Sequence, residues 1–344
     1  MRTAVVICPG RGTYNASELG YLARHFPDPA LLDFFELQRE AGGLEPLRSL
    51  DKAERFEMAR HTRGDNASGL IFAASYGDFL SLNRDEIEVV AVTGNSMGWY
   101  TALACAGADR PEDGFRIANT MGILMQRAMI GGQIIHPSVG EDWVPDPARK
   151  AELLDLVARI NDRADAELYL SIDLGGMLVL AGDHAGLAAF EQAVEPVQQR
   201  FPMRLGNHAA FHTPMQAPVA EEGAALIGPG TFVQPRLPLI DGRGAIWNPG
   251  STDCDALHAY TLGAQVVQPY DFTRAITVAA REFAPDLFVI LGPGTTLGGA
   301  VAQSLILANW QGLASREDFR GRQESDPLIA SMGIAEQRAL VATQ

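Results

Sequence analysis

The chain has 344 residues, 47% of them apolar and 20% charged, which excludes a disordered polymer and suffices for a large core with more than one domain or subdomain. Lys and Arg number 27 against 42 Asp and Glu, and the net charge of −15 argues against a nucleic-acid or anionic-membrane surface. Three widely spaced cysteines (Cys8, Cys105, Cys254) form no CxxC pair, no apolar run has the length of a membrane span, and the N-terminal apolar stretch is too short for a signal peptide, so a cytoplasmic protein is expected.

Residues 1–8 read as a first strand that ends in the turn Pro9-Gly10-Arg11-Gly12-Thr13, and residues 28–83 are mostly helical in pattern. Next comes the β-branched run Ile87-Glu88-Val89-Val90-Ala91-Val92, a buried strand, followed by Gly94-Asn95-Ser96-Met97-Gly98 and a helical stretch from Trp99. A serine on a sharp strand-to-helix turn, with glycine two residues away on both sides, has the form of a nucleophile elbow. The glycines allow strand and helix to approach closely, and the helix N-terminus behind the hydroxyl offers N–H groups to an oxyanion. The plainer reading is a glycine-rich βα turn carrying an incidental serine; the strand on one side and the helix on the other favour the nucleophile.

A helix is predicted over 114–128, a strand over 133–139, a helix over 148–160, strands over 168–173 and 177–181, a helix over 185–199 and a strand over 202–206. That βαββαβ order is the ferredoxin-like arrangement. The expected fold is therefore α/β: an α/β-hydrolase-like core with a parallel sheet, formed by 1–129 and 207–344, and a small ferredoxin-like subdomain inserted at 130–206. The core resumes with a strand at 238–240, a helix over 271–282 and a strand over 287–291, and the charged tail after Gln311 reads as a surface helix. A serine nucleophile needs a base, and His212 lies where the chain returns from the insert to the core. His208 is four residues earlier, but an HxxxH pair with no carboxylate or cysteine beside it is weak support for zinc, and no metal is expected. His25, His61, His136, His184 and His258 read as surface or capping residues.

Taken together, these motifs resemble the malonyl-CoA:acyl-carrier-protein transacylases and the acyltransferase domains of fatty-acid and polyketide synthases. The family's PGQGxQ corresponds to Pro9-Gly10-Arg11-Gly12-Thr13, its GHSxGExxA to Gly94-Asn95-Ser96-Met97-Gly98-Trp99-Tyr100-Thr101-Ala102, and its GAFHTxxM-like stretch to Ala210-Phe211-His212-Thr213-Pro214-Met215. Gln265 before Pro269 and Ile290-Leu291-Gly292-Pro293-Gly294 match two later motifs. The resemblance implies a Ser96–His212 dyad, a backbone carbonyl near the glutamine (hence Gln265) to orient the histidine, and an oxyanion hole from the N–H groups of Met97 and Arg11. It further implies acyl-CoA and an acyl carrier protein as substrates and partners, no cofactor, and a monomer.

The departures concern the acyl group. The family's malonyl-gripping arginine is replaced by Met121 ahead of an intact Gly122-Ile123-Leu124-Met125-Gln126, and Arg116 and Arg127 fall off the face of position 121 at 3.6 residues per turn. Asn66-Ala67-Ser68 replaces a TQP stretch, Asn95 stands beside the serine in place of a histidine, and Phe211 precedes the base. With Met121, Asn95 and Phe211 lining the substrate site, a neutral acyl group is expected, unless another cation such as Arg11 at the pocket entrance takes over the carboxylate. The alternative to acyl transfer is hydrolysis of neutral acyl groups stalled on carrier proteins. Arg316, Arg320 and Arg322 are the densest basic group for docking a carrier, diluted by Glu317, Asp318 and Glu324.

Overall fold

The apolar N-terminal run becomes the centre of the larger sheet. In the computed structural model, which describes residues 1–343, β1 (Arg2–Cys8) lies between β2 (Ile87–Gly94) and β10 (Leu287–Ile290), parallel to both. Ala4 to Cys8 have no exposed surface, as a strand covered by helices on both faces requires. Burying each Val or Ile side chain there contributes about 1.5–3 kcal/mol. The sheet runs β11-β10-β1-β2-β7-β8, where β7 (Leu239–Ile240) and β11 (Ile329–Ser331) extend it in parallel and β8 (Ile246–Trp247) closes one edge antiparallel. The two edge strands β8 and β11 carry too few residues to show a periodicity in sequence. The tail helix is Arg316–Ser325, with no buried residue.

The second sheet comes from β3 (Gly132–Pro137), β4 (Leu168–Leu174), β5 (Met177–Gly182) and β6 (Met203–Leu205), in the order β6-β3-β5-β4 with antiparallel neighbours. Helices Pro147–Asn161 and His184–Ala193 connect them and cover one face, where Leu153, Val157, Leu168, Leu180 and Phe190 form a separate core. The second helix is shorter than the sequence predicts, ending at Ala193 rather than Gln199. Pro196 cannot continue a helix, and Gln198 and Gln199 sit at φ +56° and +52°. A fifth strand, β9 (Tyr270–Asp271), comes from the C-terminal half of the chain and pairs parallel with β4.

His61 and His136, expected as surface or capping residues, are fully buried. His61 is held by backbone groups of Glu57 and Leu50. His136, on β3, packs edge-on to Phe190 at 5.7 Å, and neither ring nitrogen has a hydrogen-bond partner. Burial, helped by the charge of Arg149, lowers its pKa from 6.5 to about 4. The unfolded chain therefore binds a proton that the folded chain refuses between about pH 6.5 and 4, so stability falls as pH drops through that window. His136→Leu, with no proton to take up, should lose less thermal stability between pH 7 and pH 5 than wild type; equal losses in paired melting curves would refute the assignment.

Candidate active site

The elbow forms because its glycines leave no room for anything else. A Cβ on Gly94 would lie 2.3 Å from the Gly98 carbonyl carbon, and one on Gly98 would lie 2.1 Å from the Cys8 oxygen. Strand β2, the helix Gly98–Ala106 and the end of β1 thus meet backbone to backbone, and Ser96 is forced to φ +54°. Such a left-handed serine costs on the order of 1–3 kcal/mol, held here by the surrounding packing. Asn95 N–H donates to Cys8 O at 2.9 Å, which ties the elbow to the Pro9–Thr13 loop.

Ser96 Oγ is 2.7 Å from His212 Nε2, and His212 Nδ1 is 2.7 Å from the backbone oxygen of Gln265. A carbonyl can only accept, so Nδ1 carries the proton and Nε2 is the bare nitrogen that accepts from the serine hydroxyl. The Gln265 carbonyl is available for a reason visible in the sequence. Its helical donor position, four residues on, is Pro269, which has no N–H. A π-helical turn over Tyr260–Ala264 precedes it, and the chain turns extended at Gln268. The Gln265 side chain closes the arrangement: Nε2 donates to Ser96 O at 3.0 Å, and Oε1 accepts from Tyr100 Oη at 3.2 Å.

The second sheet holds both neighbours of the imidazole. Gln133 Nε2 on β3 donates to Ser171 Oγ on β4 at 2.7 Å, and Ser171 Oγ donates to Phe211 O at 2.7 Å, fixing the loop that carries His212. Pairing of β9 with β4 fixes the segment just after Gln265. Tyr270 completes the frame, its ring 5.4 Å from the imidazole and its hydroxyl donating to Gly94 O at 2.6 Å. Tyr100, Ser171 and Tyr270 were not singled out from the sequence; only Tyr100, one helical turn beyond Ser96, carried a positional signal. His208 lies apart from the serine, its Nδ1 bonded to Gln133 Oε1 at 2.8 Å.

Burial lowers the His212 pKa to about 4, partly opposed by the bond to Gln265 O. The imidazole is therefore neutral at pH 7 and can take a proton. The N–H groups of Met97 and Arg11 make no hydrogen bond among the described residues, so both are available to an oxyanion.

Two cavities meet at Ser96. The larger, about 660 Å³, runs between the sheets, walled by Ile135, Ile172, Leu174 and Val179, with Asn95, Arg11 and Phe211 at the serine end. The smaller, about 20 Å³, is lined by Ser68, Met121, Met125, Phe211 and His212. Met121 is fully buried. Arg116 is engaged by Asp113 and Thr231, and Arg127 by Glu222, so neither reaches this cavity. Arg11, part-buried, lines both cavities, and its Nη2 donates to Thr62 O at 2.6 Å and Asn207 O at 2.8 Å. Arg316 and Arg320 border a separate surface hollow with Asp142, Glu317 and Glu324.

No protein-family profile matches the chain. It is 28% identical over 304 residues to a malonyl CoA-acyl carrier protein transacylase of Mycobacterium bovis, covering 87% of this chain and 92% of that one. In sequence the chain is thus similar to malonyl-CoA:acyl-carrier-protein transacylases. It is also 24% identical over 316 residues, 88% of its length, to a phenolphthiocerol synthesis polyketide synthase of Mycobacterium marinum, of which it spans only 14%. The crystal structure of the Synechocystis malonyl-CoA:ACP transacylase superposes with a TM-score of 0.73 at 18% identity, covering 99% of this chain and 100% of that one. The likeness in fold takes in the whole mixed α/β architecture, parallel sheet included.

Proposed function

We propose that this chain moves an acyl group from a coenzyme A thioester to the thiol of an acyl carrier protein through an ester on Ser96. Ser96 Oγ attacks the thioester carbonyl while His212 Nε2 takes its proton, and the oxyanion sits between the N–H groups of Met97 and Arg11. When the carbon–sulfur bond breaks, His212 returns the proton to the leaving thiolate. The carrier's thiol then gives its proton to His212 and attacks the ester, and Ser96 leaves with that proton restored. The 2.7 Å Ser96–His212 contact, backed by the 2.7 Å bond from His212 to Gln265 O, is the observation that carries this reading.

The strand order β6-β3-β5-β4 and its two connecting helices support reading residues 130–206 as a ferredoxin-like subdomain inserted between 1–129 and 207–344. On this reading the insert serves as the far wall of the substrate cleft and the anchor of the base. Among the described residues no helix is long and apolar enough to cross a membrane. The three cysteines are free, which fits a reducing compartment.

The test is direct. With an acyl-CoA and a carrier protein bearing its thiol arm, intact-mass measurement should show an acyl adduct on Ser96 and then acyl-carrier. An adduct that passes to water, releasing free acid while the carrier stays unacylated, would overturn transfer.

A further inference from the structure

His208 lines the large cleft together with Ser96 and Phe211, and bonds Gln133 rather than the serine. Its tautomer follows from a run of hydrogen bonds whose direction is forced at one end. Phe211 O can only accept, so the one proton of Ser171 Oγ points to it, at 2.7 Å. Ser171 Oγ must then accept from Gln133, which fixes that amide with Nε2 toward the serine, at 2.7 Å, and Oε1 toward His208, at 2.8 Å. An amide oxygen also only accepts, so His208 Nδ1 carries the ring proton and Nε2 presents a bare lone pair. Burial and the charge of Arg11 both hold the pKa well below 6.5, and the ring is neutral at pH 7. Nε2 has no partner among the described residues, yet it is not sealed in: His208 is half-buried and opens on the cleft. An acceptor of fixed direction, held from behind by three successive hydrogen bonds, thus stands in a cavity walled by Ile135, Ile172, Leu174 and Val179. Such a group requires a donor from whatever fills the cavity.

We propose that His208 Nε2 accepts a hydrogen bond from the amide N–H nearest the sulfur of the pantetheine arm, and so positions the thioester for Ser96. The inference rests on the acyl-transfer reading above. Coenzyme A and the carrier protein present the same arm, so one acceptor serves both halves of the reaction. Of the groups a thioester brings, this amide fits. Its nitrogen stands two methylenes from the sulfur, and the His208 ring is 5.7 Å from that of Phe211, the residue before the base. Phosphate oxygens at the arm's far end only accept, and so cannot satisfy a bare nitrogen. The run of bonds behind His208 ends on Phe211 O, so the arm and the base are held by one frame.

The test pairs a CoA thioester with its analogue bearing an ester oxygen in place of that amide N–H. The acyl group is whichever of malonyl, acetyl and propionyl loads wild type fastest. Acylation of Ser96 at subsaturating thioester is read by intact mass for wild type, His208→Asn and His208→Phe. Wild type should react roughly 3–10-fold faster with the amide than with the ester, as expected for one neutral hydrogen bond. In His208→Asn the side-chain nitrogen takes the place of Nδ1 and keeps the bond to Gln133, but nothing stands at Nε2. That variant, and His208→Phe, should treat the two substrates alike. A merely structural role would slow both substrates equally and leave the wild-type ratio intact. Equal rates in wild type, as when water satisfies Nε2, or an undiminished preference in His208→Asn and His208→Phe would overturn the inference while leaving acyl transfer standing. Failure of wild type to be acylated by any CoA thioester would overturn both.

Discussion

Ser96→Ala should form no acyl adduct with any thioester, and His212→Ala should acylate about 10²–10⁴-fold more slowly than wild type. No neighbouring group can substitute for the serine. Cys105, the nearest thiol in sequence, is buried with its Sγ 4.0 Å from Cys8 Sγ, and burial pushes its pKa well above the ordinary range, so it holds its proton. The loss in His212→Ala is set by geometry: without Nε2 at 2.7 Å the hydroxyl proton has no acceptor when the oxyanion forms. His208→Ala should cost much less, since His208 bonds Gln133 and not the serine. The pre-steady-state rate of adduct formation, followed by intact mass, checks all three variants. Labelling of Ser96→Ala at the wild-type rate, or a larger loss in His208→Ala than in His212→Ala, would refute the assignment.

Gly98→Ala should destabilise the chain by at least about 3 kcal/mol and abolish acylation in whatever remains folded. The added methyl meets backbone atoms only, the Cys8 oxygen at 2.1 Å and the Pro9 oxygen at 2.8 Å. These belong to the end of the central strand and the first residue after it, and cannot step aside like a side-chain tip. Relief requires the helix Gly98–Ala106 to withdraw from β1, which moves the Met97 N–H away from the oxyanion and Ser96 away from His212. Gly12→Ala is the control: φ there is +88°, but nothing lies within 4 Å of the new methyl, so the cost should be confined to backbone strain of about 1 kcal/mol. Chemical denaturation of both variants separates the cases, and a Gly98→Ala midpoint equal to wild type would remove close packing as the reason for the glycine.

Much of this molecule is local in origin and therefore legible. Ile87 to Gly94 carries the apolar pattern of a buried strand, and the two glycines around Ser96 announce a turn too tight for side chains. The βαββαβ succession over residues 130–206 follows from periodicity alone, because each element's apolar spacing is a property of that segment. Even the Gln265 carbonyl has a local cause, since Pro269 leaves it without its helical donor.

What the tertiary structure decided lies wherever the outcome depends on which segment ends up beside which. In sequence His136 reads like the other isolated histidines, yet strand alternation turns it, like Ile134, into the second core against Phe190. The short edge strands β8 and β11 exist only because a sheet edge is there to pair with. The clearest case is charge in the acyl pocket. From the chain alone, Met121 removes the cation, because Arg116 and Arg127 cannot turn toward it from the same helix. Folding brings Arg11, 110 positions away, to the wall of the same small cavity as Met121. Helical spacing constrains residues of one element only; burial, hydrogen bonding and the cost of an uncompensated charge are settled between elements, after the chain has packed.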